Sequence, residues 1–226
     1  MRLNPWFISS ILLLGIWLLF WIFNSRLRKR MLLYSVLLMP TGIAQAMFVP
    51  EYWDPSSVFN LTTRIGFDIE SLVFSFAIGG ISIALFELFP FKRFNQLERT
   101  PEDQRLIISA SGVSVIIYIV AELLNFNPIY SLLAALYSGS FFLMTLKPTM
   151  IREVIKSGLV FLCFYTIGFM MLNLLFPDFI SKTWNFSNLS NILILGIPAE
   201  EFAYAFGFAM MWYMLYRMGF QTYVKR

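Results

Sequence analysis

Two adjacent carboxylates stand at the start of the last apolar segment of the chain. Glu200 and Glu201 follow Pro198 in the stretch Ile-Pro-Ala-Glu-Glu-Phe-Ala-Tyr-Ala-Phe, residues 197–206. A charge in the hydrocarbon region of a membrane costs about 2.5–3.5 kcal/mol on insertion scales, so paired acids there indicate a function. Two buried carboxyl groups that repel each other favour a protonated acid beside an ionised base. Such a pair can add a proton to a carbon–carbon double bond and later remove one from the resulting cation.

Acids in the first turn of a helix also have a structural interpretation. They interact favourably with the helix macrodipole, by roughly 0.3–1 kcal/mol each, and need no function. Asp68 fits this interpretation as the cap of an earlier apolar segment, and Glu70 fits it less well. Glu200 and Glu201 fit it least, because adjacent helical residues point about 100° apart and one must face other helices or lipid. We therefore predict Glu200 and Glu201 as the leading functional residues.

The segments that carry these acids are rich in aromatic residues. Ring faces stabilise a nearby cation, so such residues can line an apolar pocket in which a carbocation forms. For any one of them, lipid contact or ordinary packing is the favoured explanation. The predicted pocket residues are Phe74, Phe76, Tyr204, Phe206 and Phe208.

The composition excludes several kinds of chemistry. The chain has no histidine, which removes imidazole-bound metals and histidine-activated nucleophiles. Its one cysteine, Cys163, excludes intramolecular disulfides and thiolate clusters, so no metal site is predicted. No Gly-rich fingerprint for a dinucleotide is evident. The net charge of +4 comes from Lys and Arg clusters between apolar runs, which is typical of membrane topology and not of nucleic-acid binding.

The 226 residues are 58% hydrophobic, and the apolar residues form long runs. Each run is close to the ~20 residues that an α-helix needs to cross a bilayer. The sequence therefore predicts an all-α integral membrane protein, multi-pass in the cell membrane, with seven transmembrane helices. The runs cover about 5–24, 31–48, 68–89, 105–124, 128–146, 154–175 and 196–217.

The positive charges predict the orientation of these helices. Fourteen Lys and Arg residues fall on one side of the predicted membrane, and only Arg2, Arg64 and Lys182 fall on the other. Since cytoplasmic loops carry the excess of positive charge, we place the N-terminus outside and the C-terminus in the cytoplasm. Trp53 and Trp184 then lie in the two longer outer loops, where we interpret them as interfacial anchors.

The chain also contains a weak internal repeat. A shift of 130 positions lays residues 65–76 on 195–206, so that a glycine, a glutamate and a phenylalanine coincide. Within one membrane domain, 1–226, this predicts a three-helix repeat at 1–90, a linker loop and helix at 91–125, and a second three-helix repeat at 126–226. Because one helix separates them, the two repeats are predicted to be parallel.

The repeat gives the acidic pair counterparts in the first half. Asp68 and Glu70 occupy the first turn of the third predicted helix, as Glu200 and Glu201 do in the seventh. The predicted catalytic residues are therefore Glu200, Glu201, Glu70 and Asp68, with Pro198 as a structural part of the motif.

These features resemble a known family. The Pro-x-Glu-Glu followed by aromatic residues at 198–206, the stretch Asp-Ile-Glu-Ser-Leu-Val-Phe-Ser-Phe at 68–76 and the duplicated three-helix units are similar to the non-flavin lycopene cyclase domain family. This membrane type occurs as small heterodimeric subunits in bacteria and as fused tandem domains in archaea and fungi. The resemblance implies cyclisation of the linear ends of lycopene to β-ionone rings. That reaction is an isomerisation (an intramolecular lyase activity) started by protonation and ended by proton loss.

The first half departs from the family motif. Pro198, Glu200 and Glu201 match it in the second half, whereas in the first half only Glu70 matches. Asp68 replaces the proline and Ser71 replaces the second acid. A cyclase of this type is expected to draw acids from both halves, so the departure leaves open a different isoprenoid polyene as substrate, or loss of catalysis.

Other functions also fit the residues. A non-catalytic protein that binds a carotenoid or isoprenoid, and a proton-coupled carrier that uses the same carboxylates, stay open. A retinal photoreceptor is disfavoured because the last apolar segment has no lysine for a Schiff base. The expected partners are membrane lipid, a hydrophobic polyene substrate, and a second copy or partner subunit. A requirement for a reduced nicotinamide or a flavin also stays open.

Overall fold

The computed structural model describes residues 4–89 and 101–219. The α-helices in this part of the chain are α1 Pro5–Phe23, α2 Arg28–Leu38, α3 Leu61–Ile65, α4 Ile69–Leu88, α5 Pro101–Leu123, α6 Pro128–Leu146, α7 Ile151–Leu175, α8 Phe179–Thr183 and α9 Ala199–Gly219. Short 3₁₀ helices cover Met39–Met47, Val58–Asn60, Pro148–Met150 and Phe186–Asn188. Strands β1 Leu193–Ile194 and β2 Ile197–Pro198 pair with each other. The charged residues Arg2, Lys92, Arg93, Arg99, Lys225 and Arg226, which entered the orientation count, lie outside the described residues.

Within residues 4–89 and 101–219, five helical segments are long and apolar enough to span a membrane, so the chain is an all-α membrane protein. Their most apolar 18-residue windows have a mean hydropathy between 1.6 and 2.3. Burial differs strongly among them: 72% of the α4 window is buried, against 6% of the α5 window. The apolar side chains of α5 are thus left for lipid to cover, while α4 is enclosed by protein. The five segments are Pro5–Phe23, Ile69–Leu88, Pro101–Leu123, Pro128–Leu146 and Pro148–Leu175.

Two of the seven predicted spans take a different form. The run at 31–48 contains the 11-residue helix α2 and then the 3₁₀ helix Met39–Met47. Pro40 explains the change, because proline lacks a backbone N–H and its ring obstructs the carbonyl of the preceding turn. The run at 196–217 contains the 21-residue helix α9, which is not among the five apolar segments. The tyrosines and Arg217 make α9 more polar than the five apolar segments.

The first helix of each half, α1 and α6, begins in the same way. Asn4 caps α1 by accepting the N–H groups of the next turn, and Asn127 caps α6 by accepting the N–H of Ile129. In both helices a proline occupies the first position, where its missing N–H is not needed. Pro5 and Pro128 are 123 residues apart, and the first residues of α2 and α7 have the same separation.

The last long helix of each half, α4 or α9, begins after a glycine in the left-handed conformation. Gly66 precedes α4 with φ = 86°, and Gly196 precedes α9 with φ = 76°. Both glycines stand three positions before the first helical residue, and α4 and α9 begin 130 residues apart. The extra seven residues of the second half therefore lie between the start of α7 and the start of α9.

The helices group into two compact units. One contains the described residues up to Ala84 together with Ile167–Ile197, and the other contains those from Leu85 to Thr166 and from Pro198 onward. In the first unit, Trp17 donates a 2.9 Å hydrogen bond to Ser35 and so connects α1 with α2.

The two loops of the first unit that contain Trp53 and Trp184 are joined by main-chain and ring contacts. Trp53 and Trp184 form an isolated antiparallel bridge, and their ring centroids are 5.4 Å apart. The N–H of Asp54 donates to the carbonyl of Thr183 at 2.8 Å. Trp184 is 5% exposed and also contacts Phe169 and Phe179. Trp184 is therefore a buried packing residue of the joined loops and not the interfacial anchor that we expected.

In the second unit, α6 packs against both α5 and α9. Lys147, which follows α6, lies 3.2 Å from Asp103 in the first turn of α5. The cation therefore connects the end of one helix with the start of another. At the far end of α9, Tyr216 donates a hydrogen bond to Glu87. Glu87 is half-buried and has a protein partner.

Candidate active site at the start of helix α9

A tight hairpin leads the chain into α9. Leu195 and Gly196, between β1 and β2, have φ values of 55° and 76°. Positive φ at both central residues is what a type I′ hairpin turn requires, and this turn matches the twist of the two strands. Pro198 is buried in β2, directly before the first helical residue, Ala199. The hairpin therefore sets the direction from which α9 begins, and Pro198 stands at its entrance and not in its first turn.

Glu200 and Glu201 lie in the first turn of α9, and both are buried, with 4% and 5% of their surfaces exposed. The sequence required one of them to face other helices or lipid. In the structure both face helices, because each carboxyl group accepts a hydrogen bond from a tyrosine of another helix.

Tyr130 and Tyr165 are the two tyrosines. The hydroxyl of Tyr130, near the start of α6, donates to Oε1 of Glu200 at 2.7 Å. The hydroxyl of Tyr165, in the middle of α7, donates to Oε2 of Glu201 at the same distance. Bonds of this length are typical of a hydroxyl that donates to a carboxyl oxygen. Each acid is thus bonded to a different neighbouring helix, Glu200 to α6 and Glu201 to α7, and the phenol fixes the direction of the carboxyl group.

A row of aromatic rings begins beside Glu201. Tyr165 contacts Tyr204 with ring centroids 6.1 Å apart, and Tyr204 stacks on Phe208 at 5.9 Å. Phe208 in turn contacts Phe161 of α7 at 5.2 Å and Trp212 at 5.8 Å. Two predicted pocket residues, Tyr204 and Phe208, therefore lie together in one continuous aromatic row next to a buried acid.

The third predicted pocket residue of α9 occupies a different contact. Phe206 lies against Gly158 of α7, where an added Cβ would be 2.6 Å from Cε2 of the Phe206 ring. Here Gly158 permits a close approach of the two helices that any larger residue would obstruct. Phe206 therefore fixes the spacing between α7 and α9.

The other two predicted pocket residues, Phe74 and Phe76, lie on α4 in the first unit. Phe74 contacts the ring of Trp6 at 5.2 Å, and Phe76 contacts the ring of Trp17 at 5.1 Å. Both partners belong to α1. In this unit the two phenylalanines contact helix α1.

Asp68 is fully buried and accepts hydrogen bonds at both carboxyl oxygens. The N–H of Ser71 donates to Oδ1 at 2.6 Å, which is the geometry of a helix cap for α4. Gln45 and Thr62 donate to Oδ2 at 2.9 and 3.1 Å. Gln45 also accepts a hydrogen bond from Ser71. Asp68 thus joins three segments of the first unit.

Glu70 is also buried, with 1% of its surface exposed. Its Oε1 accepts the N–H of Val58 at 2.7 Å and the side-chain amide of Asn4 at 3.4 Å. Within the described residues, its Oε2 is buried and has no hydrogen-bond partner. In the described part of the chain, Asp68 accepts hydrogen bonds at both of its carboxyl oxygens, whereas Glu70 accepts them at only one.

The two tyrosines were absent from the residues that sequence reasoning selected. Tyr130 follows the Asn127-Pro128 cap signal and reads as an ordinary first-turn residue. Tyr165 was equally inconspicuous among the aromatic residues of its apolar run. The sequence feature that could have indicated them is a phenol within a predicted spanning segment, because a buried hydroxyl needs a hydrogen-bond partner.

The described residues contain no group of three or more His, Cys, Asp or Glu side chains that could hold a metal ion. The start of α9 brings together two buried carboxyl groups, two phenols that orient them, and an adjacent aromatic surface. This arrangement can donate and accept protons next to an apolar molecule.

Comparison with known proteins identifies the family of the chain. The fold and site define an all-α membrane protein with paired buried acids. The model of the lycopene cyclase family matches the chain over residues 4–89 and 127–218, which together make up more than half of it. The chain belongs to the lycopene cyclase family. No match is found among curated proteins or among solved structures.

Proposed function

We propose that this protein is a carotenoid cyclase-like isomerase that cyclises the linear ends of lycopene, or of a related isoprenoid polyene, by proton transfer. The proposal is supported by the family match and above all by one observation. Glu200 and Glu201 are both buried, and each accepts a 2.7 Å hydrogen bond from a phenol. Burial and mutual repulsion disfavour two charged carboxylates on neighbouring residues, so we take one acid as protonated and the other as ionised.

The proposed reaction keeps all atoms of the substrate. A carboxylic acid gives its proton to a terminal carbon–carbon double bond, so that an O–H bond breaks and a C–H bond forms. The cation that results is attacked by a nearby double bond of the same chain, which closes a six-membered ring. A carboxylate then removes a proton from a carbon next to the new cation, and a ring double bond forms. The sum is an isomerisation without oxidation or reduction.

In the first half, we propose Glu70 as the acid that corresponds to Glu200, with Asp68 as the second predicted acid. The buried Oε2 of Glu70 supports this choice. The three hydrogen bonds that Asp68 accepts favour a capping role for that residue over proton transfer.

We also propose that the chain crosses the cell membrane seven times, in two parallel three-helix repeats joined by α5. The supporting observations are the matched helix starts and the two separate regions, 4–89 and 127–218, over which the family model matches. In this arrangement α2 with its 3₁₀ extension, and α9, supply the two further crossings. The N-terminus then lies outside and the C-terminus in the cytoplasm.

A second candidate is a membrane protein of this family that binds a carotenoid without converting it. The observation that favours it is the reduced motif of the first half, in which Glu70 is engaged by the N–H of Val58 and Ser71 replaces the second acid. A proton-coupled carrier would use the same carboxylates and is separated from both by proton flux in vesicles.

Expression in a host that accumulates lycopene tests the proposal. We expect cyclic products from the wild-type chain, and a loss of about 10²–10⁴-fold in Glu200→Gln and Glu201→Gln, since either amide removes one acid of the pair that holds the exchangeable proton. Glu102→Gln is the matched control, because Glu102 is an exposed glutamate in the first turn of α5. Unchanged lycopene with well-expressed wild-type protein contradicts the proposal, as does full conversion by both variants.

A further inference from the structure

We propose that Glu201, and not Glu200, exchanges protons with the polyene, and that Tyr165 is the positioning residue that aims it; this inference rests on the proposed function. Glu200 and Glu201 are adjacent, both buried and each bonded to a phenol. What separates them is the face of α9 on which each one lies.

Glu200 lies on a face of α9 that small residues fill. Ala203 and Gly207 stand three and seven positions further along, which places them on the same face of the helix. Tyr137 of α6 covers this face: its hydroxyl donates to the carbonyl of Ala203 at 3.0 Å, and a Cβ at Gly207 would be 3.0 Å from its ring. Tyr137 thus packs on the face of α9 to which Glu200 belongs.

Glu201 lies on the aromatic face of α9. Tyr204, Phe208 and Trp212 follow at three, seven and eleven positions, and their rings stack in sequence. Tyr165 connects the acid with this row, because its hydroxyl bonds Glu201 while its ring contacts Tyr204. A carbocation formed beside Glu201 would therefore lie near ring faces, which stabilise positive charge.

The bond from Tyr165 engages Oε2 of Glu201, so it fixes the direction of the carboxyl group. In a cyclisation this direction has a consequence for the product. The ring cation carries removable protons on more than one neighbouring carbon, and the carbon that loses its proton sets the position of the ring double bond. A carboxylate that is held still selects one of them, whereas a mobile carboxylate selects less strictly.

The test compares three tyrosine-to-phenylalanine variants of the full chain in lycopene-loaded vesicles. Tyr165→Phe is expected to lower kcat by about 10- to 100-fold with KM within about twofold, and to change the proportion of ring double-bond isomers. Tyr130→Phe is expected to leave that proportion unchanged. Tyr137→Phe is the matched control, because it also removes a buried phenol bond to α9 without touching a carboxyl group.

A second pair of variants leaves the tyrosines intact. Glu201→Asp withdraws the carboxyl group from Tyr165 by one methylene and is expected to change the isomer proportion, whereas Glu200→Asp is not. If wild-type protein converts lycopene but Tyr165→Phe and Glu201→Asp keep the wild-type proportion, this inference is overturned and the proposed function stands. If wild-type protein gives no cyclic product, the proposed function fails and the inference with it.

Discussion

Gly158 of α7 lies directly against the ring of Phe206 on α9, so that a Cβ atom at position 158 would come within 2.6 Å of the ring. The contact stands two turns of α7 before Tyr165 and, along α9, five residues after Glu201. The spacing that Gly158 permits is therefore the spacing across which the phenol of Tyr165 reaches its carboxyl partner.

We predict that Gly158→Ala separates α7 from α9 and weakens the protein. Overpacking of this kind typically costs about 1–3 kcal/mol in the free energy of unfolding. Gly168→Ala, also within α7, is the matched control because an added Cβ there meets no atom within 4 Å. Thermal unfolding in detergent should show a lower midpoint for Gly158→Ala alone. Equal midpoints for the two variants would contradict the close contact.

Asp68 gives a prediction that separates capping from catalysis. Asp68→Ala removes the acceptor of three hydrogen bonds, of which the one from Ser71 caps α4. Because a buried donor left without an acceptor costs about 1–3 kcal/mol, the free energy of unfolding should fall by at least that amount. Asp68→Asn keeps one carbonyl acceptor and should remain folded.

The activity of Asp68→Asn then decides the role of this residue. If Asp68 only caps α4, the asparagine variant converts substrate at a rate close to that of the wild type. A folded but inactive Asp68→Asn protein would instead support the predicted catalytic role. Circular dichroism and pigment chromatography on the same preparation provide both measurements.

The contact between Trp53 and Trp184 predicts an energetic coupling of the two loops that contain these residues. Aromatic pairs contribute about 0.5–1.5 kcal/mol beyond the area they bury, and residues in contact do not behave additively. The double variant Trp53→Ala/Trp184→Ala should therefore lose less stability than the sum of the single variants. Chemical unfolding of the four proteins of the cycle measures the difference, and strictly additive losses would remove the coupling.

Much of the fold follows from local signals in the sequence. The cap and proline signals at Asn127-Pro128 and at Pro101 predict the starts of α6 and α5, because these residues act on the backbone of their own helix. The second predicted span was not one regular helix, since apolar content alone does not register what Pro40 does to the backbone. The cost of a charge in the membrane singles out Glu200 and Glu201 in the sequence, but it carries no information on the residues that surround them.

Partners from distant segments were beyond the reach of the sequence. The bonds from Tyr130 and Tyr165 connect residues 70 and 36 positions apart, and neither tyrosine differs in type from the many others in the chain. The same holds for Trp184, whose burial depends on a loop from the first half. Such contacts depend on how helices and loops pack, which no local pattern encodes.

The bridge between Trp53 and Trp184 has a consequence for how the protein is made. Trp184 emerges from the ribosome 131 residues after Trp53 (184 − 53). Until then the loop that contains Trp53 cannot form the main-chain bonds that join Tyr52 to Asn185 and Asp54 to Thr183. At the usual pace of synthesis, about 5–20 residues per second, that loop waits for several seconds, and a translocation factor or chaperone has that interval in which to hold it.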